Sequence, residues 1–112
     1  MIAKQSTSKM GPRAAAMPPI VKSEIDANGE QYFCGMLEEP KFNSRGLWDG
    51  CMAFNITNNH KRQTATISTF MWRDGAPWNW NVIKVIRGEV IEREEIEGIL
   101  HLYNLIEGEK NG

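Results

Sequence analysis

Between Ile20 and Arg87 the apolar residues recur mostly at every second position, the period of a half-buried β-strand. Ile20 to Asp26 is a short strand candidate, and Ala27-Asn28-Gly29 after it signals a hairpin, because Asn and Gly both tolerate positive φ. The return strand, Gln31 to Leu37, sets Tyr32, Cys34 and Met36 on one face and Phe33, Gly35 and Leu37 on the other. Glu38 to Gly46, with Pro40 and Gly46, reads as a loop. A third strand from about Leu47 to Thr57 alternates Met52, Phe54 and Ile56 with Cys51, Ala53 and Asn55, and Asn58-Asn59-His60-Lys61 makes a polar turn. The fourth, Thr64 to Trp72, is rich in β-branched residues. Its Ile67 and Met71 share one face, and Phe70 and Trp72 share the other with Thr64, Thr66 and Ser68. Arg73 to Pro77 forms the next turn, with Asp74-Gly75 favoured there and Pro77 expected to block further pairing. The fifth strand, Trp78 to Arg87, is expected to place Trp80, Val82 and Ile86 opposite Ile83 and Val85.

After Gly88 the period becomes helical. Ile96, Ile99, Leu100, Tyr103 and Ile106 form one stripe, which predicts an amphipathic helix over Glu92 to Glu107. Glu92, Glu94 and Glu95 suit the positive end of its dipole, and Gly108 supplies a stop. Gly98 weakens the helix interior and is expected to permit close packing on the sheet. Residues 1–19 show no apolar period and contain Gly11-Pro12 and Pro18-Pro19, the composition of a mobile basic tail. The expected fold class is therefore α+β, with an antiparallel sheet of four to five strands and one C-terminal amphipathic helix. One domain is expected over residues 20–112, behind a flexible basic tail over 1–19.

Composition narrows this picture rather than changing it. With 112 residues, 41% hydrophobic and 24% charged, the chain has room for one soluble domain. Its longest apolar runs fall far short of the roughly 20 residues that span a bilayer, so no membrane is expected. Cys34 and Cys51 are too few for a disulfide framework. With no apolar secretory signal at the start, a cytoplasmic location with free thiols is expected. The net charge of −1 conceals segregation: residues 1–22 carry +4, 23–60 carry −4, 61–87 carry +4 and 88–112 carry −5. Local potential steers association, so a balanced total does not exclude a polyanion partner.

No residues assemble into a catalytic signature. Cys34, Cys51, His60 and His101 lack the paired spacing that pre-positions metal ligands, so neither a metal nor a cofactor is expected. His60-Lys61-Arg62 reads as a solvated turn in preference to a nuclease centre, because no second acid–base group accompanies it. Asn55-Ile56-Thr57 matches a glycosylation sequon but lies within a strand. What remains is residues 70–87, FMWRDGAPWNWNVIKVIR, where Trp72, Trp78 and Trp80 flank one turn beside Arg73, Lys84 and Arg87. Flat π-faces next to fixed positive charge suit base stacking or the anchoring of a protein.

Residues 71–103, MWRDGAPWNWNVIKVIRGEVIEREEIEGILHLY, resemble the transcriptional positive-coactivator family of single-strand nucleic-acid binders. Trp72, Gly75, Trp80, Gly88, Val90, Glu94, Glu95 and Leu100 carry the likeness, which covers about a third of the chain. The resemblance implies a homodimer that grips unpaired strands on curved sheets. The leading functional expectation is a non-enzymatic single-stranded nucleic-acid-binding protein. Trp72, Trp78 and Trp80 would stack on bases, and Lys61, Arg62, Arg73, Lys84 and Arg87 would contact phosphates. The alternative is a small protein-interaction module, an inhibitor or assembly factor, anchored by the same aromatic patch.

Overall fold

The computed structural model describes residues 20–106. The expected tail and the stop at Gly108 lie outside the described residues. Strands β1 (Val21–Lys22), β2 (Glu30–Met36), β3 (Met52–Asn59), β4 (Thr64–Arg73) and β5 (Ala76–Arg87) form one antiparallel sheet. Its spatial order, β1-β2-β3-β4-β5, is the order of the chain. A 3-10 turn (Arg93–Glu95) and the helix α1 (Ile96–Leu102) follow.

Turn chemistry fixes the meander. Gly29 takes φ +81°, and the Asp26 carboxylate accepts from the N–H groups of Asn28 and Glu30, both at 2.9 Å. Between β4 and β5, Asp74 and Gly75 take φ +52° and +79°, the paired positive values that let a two-residue turn follow the twist of its strands. β5 begins at Ala76, and Pro77 lies within it opposite Trp72, contrary to the expectation that proline would delay the strand. An edge strand tolerates proline because its missing N–H can face solvent.

The two faces differ. On one, Phe33, Ile56 and Ile67 stand in register, and α1 closes over them through Ile96 and Leu100, both fully buried. Ile99 and Tyr103 pack at the margin of this cluster. The other face has no helix among the described residues, and its small buried cluster, Met36, Cys51, Ala53 and Phe70, sits at one end.

To reach that first face, the chain must return from the edge strand β5 to the middle of the sheet. Asn58, 1% exposed, makes the attachment: its amide donates to the Ile91 carbonyl at 2.8 Å and accepts from the Ile91 N–H at 3.0 Å. Both polar groups of a buried backbone unit are thereby satisfied. The helix is shorter than its apolar stripe. Asn104 takes φ +61°, and the N–H groups of Asn104 and Leu105 return to the carbonyls of His101 and Leu100. This is a left-handed C-terminal cap that ends α1 within the stripe. Gly98 is exposed with nothing near its Cβ position, so it serves no close packing.

Candidate interaction surface

The exposed aromatics gather where β3, β4 and β5 meet the loop between β2 and β3. That loop is ordered by its own polar side chains. Asn43 Oδ1 accepts from the N–H groups of Arg45 and Leu47, and Phe42 bridges Trp48 across a small antiparallel turn. The loop is then fastened to the β4–β5 turn. The Gly75 N–H donates to the Trp48 carbonyl at 2.8 Å, and the Asp74 N–H donates to Asp49 Oδ1 at 2.8 Å. The Asp74 carboxylate receives Asn43 Nδ2 at 2.7 Å and Arg45 at 2.8 Å.

Four rings run in sequence across this end. Trp48 meets Trp72 edge-on at 4.9 Å, Trp72 meets Phe70 edge-on at 5.1 Å, and Phe70 meets Trp80 at 4.5 Å. Such offset and edge contacts suit the ring quadrupoles. Phe70 is buried at the centre of the series, Trp72 is half-buried, and its indole N–H points to Met36 Sδ at 3.1 Å. Trp48 and Trp80 leave 37% and 54% of their surfaces exposed, and Phe42, on the same side of its turn as Trp48, leaves 61%. The surface is rigid at its base and apolar at its top.

Of the residues singled out from the sequence, the structure brings Trp72 and Trp80 together and sets Trp78 apart. The reason is a bulge: two β5 residues, Asn79 and Trp80, span the place of Phe70 alone on β4, and Asn79 takes φ +60°. Trp78 and Trp80, two apart and expected on one face of a regular strand, therefore point to opposite faces. Arg73 stacks on Trp78, its guanidinium carbon 4.6 Å from the ring centre. A second bulge at Ile83 reverses the alternation again, so Val85 joins Trp80 and Val82 on the open face while Ile83 and Ile86 turn toward the core.

The remaining cations lie elsewhere. Lys84 stands opposite Ile67, four β4 residues (about 13 Å) from Met71, the partner of Trp78. Arg87 stands opposite Thr64, about 23 Å along the strand from Met71. Lys61 and Arg62 occupy the β3–β4 turn beyond that point, beside an open polar cleft of about 440 Å³ lined also by Asn28, Glu30 and Asn59. The Lys61 ammonium is committed to the Ala27 carbonyl at 2.8 Å. The cations thus form no single group around the rings.

Two other candidates from the sequence have structural partners. His60 Nε2 lies 2.8 Å from Gln31 Oε1, and Asn55 Nδ2 donates to Thr57 within β3. Cys34 and Cys51 are free thiols, and burial pushes the Cys34 thiol above its ordinary pKa. Among the described residues no group of three or more His, Cys, Asp or Glu side chains is placed to hold a metal ion. Nor is any described helix long and apolar enough to cross a membrane.

Phe42 and Trp48 also belong to the surface. The sequence sets Phe42 in the loop and Trp48 at the start of the third strand, but β3 begins only at Met52 and Trp48 stays in the loop, bridged to Phe42. Their available signal was the Asn43-Ser44-Arg45-Gly46 turn between two aromatics, a short hairpin pattern. Fold and surface together define a small α+β antiparallel meander with an exposed aromatic end. Comparison with protein-family models, with curated proteins and with solved structures found no match.

Proposed function

We propose that this chain is a small protein-interaction module whose anchor is the aromatic end of the sheet. One observation carries the reading: the series Trp48, Trp72, Phe70 and Trp80 is buried at its centre and open at both ends. A protein partner gains most from large rings that are already held in place, because little side-chain entropy is lost on docking. The dispersal of Lys61, Arg62, Lys84 and Arg87 weighs the same way, since a stacking platform for a polyanion needs phosphate contacts beside its rings. Single-stranded nucleic acid remains the second reading, favoured by the Arg73–Trp78 stack and by the likeness of residues 71–103 to the coactivator family.

Peptides selected from a displayed random library, titrated against the purified chain, test the first reading. The expected binders carry apolar anchors and lose at least about tenfold in affinity to Trp80→Ala, roughly 1.4 kcal/mol, with no change for Arg62→Ala. Short single-stranded oligonucleotides should leave tryptophan fluorescence unchanged at low salt. Quenching by oligonucleotide that fades steeply with added salt would instead give the surface to nucleic acid.

A further inference from the structure

Among the described residues, β5 is the longest strand and an edge of the sheet, paired on one side only, with most of its residues exposed. Trp78, Trp80, Val82 and Val85 are 48%, 54%, 61% and 41% exposed along it. A long unpaired apolar strand is a template for another strand. Bulges usually guard such an edge, because two residues then oppose one. Here the bulges fall at Asn79 and Ile83, each two residues from Asn81. The strand consequently reads alike in both directions. Outward from Asn81, Trp80 and Val82 face the open side, then come the two extra residues, then Trp78 and Lys84 face the helix side.

We propose that a second copy of this chain pairs with β5 antiparallel, about a two-fold axis through Asn81. In that register Trp80 meets Val82 of the other copy on the open face, and Trp78 meets Lys84 on the helix face. Each extra residue meets an extra residue, so the one-to-one count holds along the strand. A one-residue slip sets most open-face side chains against helix-face ones, and a two-residue slip sets Trp80 against Lys84, or Trp78 against Val82, across opposite faces. Charge agrees with the same register. No acid lies between Ala76 and Arg87, Lys84 opposes an indole rather than its own copy, and Arg87 falls opposite Gly75, next to Asp74. The contact is isologous, the usual form of a closed dimer. It joins the two aromatic ends into one surface on the open face. A partner strand without matching bulges would lose this register, which favours a second copy over an unrelated extended peptide.

The test uses the full chain and needs no other ligand, so it is independent of the protein-partner reading. Sedimentation equilibrium of the parent should give a dimer at micromolar concentration, with Val82→Lys raising the dissociation constant at least about tenfold. Asn81→Cys should oxidise rapidly to a covalent dimer. Opposed antiparallel residues sit about 4.5–5.5 Å apart at Cα, within disulfide reach. Lys84→Cys, six residues from its own copy or about 20 Å, should cross-link no faster than the parent, which controls for Cys34 and Cys51. A parent that stays monomeric at high micromolar concentration overturns the proposal. So does a dimer in which Asn81→Cys cross-links no faster than Lys84→Cys.

Discussion

Gly35 lies in β2 directly opposite Phe54, and a methyl group there would come within 2.7 Å of the Phe54 ring. Phe54 is fully buried beneath the helix face and has little room to yield. Gly35→Ala should therefore destabilise by about 1–3 kcal/mol, the usual range for overpacking, read as a lower midpoint in urea unfolding. An unchanged midpoint would mean that the ring moves freely. The glycine was visible in the sequence as a gap in an apolar face, but what filled the gap was not, because pairing with Phe54 depends on the register of β2 against β3 across the long loop that joins them. Asn58 gave even less warning. It reads as turn chemistry, yet it lies within β3, in the pair of residues nearest the turn, and faces inward, where its amide binds both polar groups of Ile91. Asparagine carries a donor and an acceptor on one short side chain, and only a distant backbone unit brought alongside reveals which use is made of them.

Among the elements, the helix shows most clearly what periodicity reports. The stripe from Ile96 to Tyr103 placed the buried side correctly, since Ile96 and Leu100 are wholly enclosed. Leu100→Ala should then cost about 2–5 kcal/mol on thermal or urea unfolding, and a loss near zero would sink the packing described for α1. The same stripe overran the end of the helix, because apolar spacing continues through Leu105 and Ile106, which pack beside the core after the chain has left the helix. Asn104 was the signal to weigh, since asparagine accepts the left-handed backbone that ends a helix. Gly98 makes the complementary point: being exposed within α1, it adds flexibility without adding contact. Gly98→Ala should raise stability by up to about 1 kcal/mol, visible as a higher midpoint, whereas a destabilised variant would indicate a contact at that position. In β5 the alternation from Trp78 to Arg87 was legible, but its two reversals were not. A bulge costs one residue in a strand and leaves the spacing of apolar types almost unchanged.

Across the whole molecule, sequential pairing puts β3 at the centre and β5 at a margin. Amide hydrogen exchange should follow that order at low protein concentration, slow in β3 and β4 and fastest along the outer side of β5. Uniform protection of all five strands in dilute solution would contradict an open margin. The fold class was readable from the chain because turns such as Asn28-Gly29 and Asp74-Gly75 act locally. The surface was readable only in part, since Trp48 joins Trp72 through a loop whose path is set by contacts with Asp74. The two apolar clusters on opposite faces of the sheet have a consequence for descent. Phe33, Ile56, Ile67 and Leu100 hold the helix to one face, while Phe42, Trp48 and Trp80 stand on the other end with little to hold. Substitutions among the latter can accumulate with small loss of stability, so lineages of this chain are free to diverge in what they recognise while keeping the same fold. Divergence among relatives should therefore concentrate at Phe42, Trp48 and Trp80 and spare Phe33, Ile56, Ile67 and Leu100.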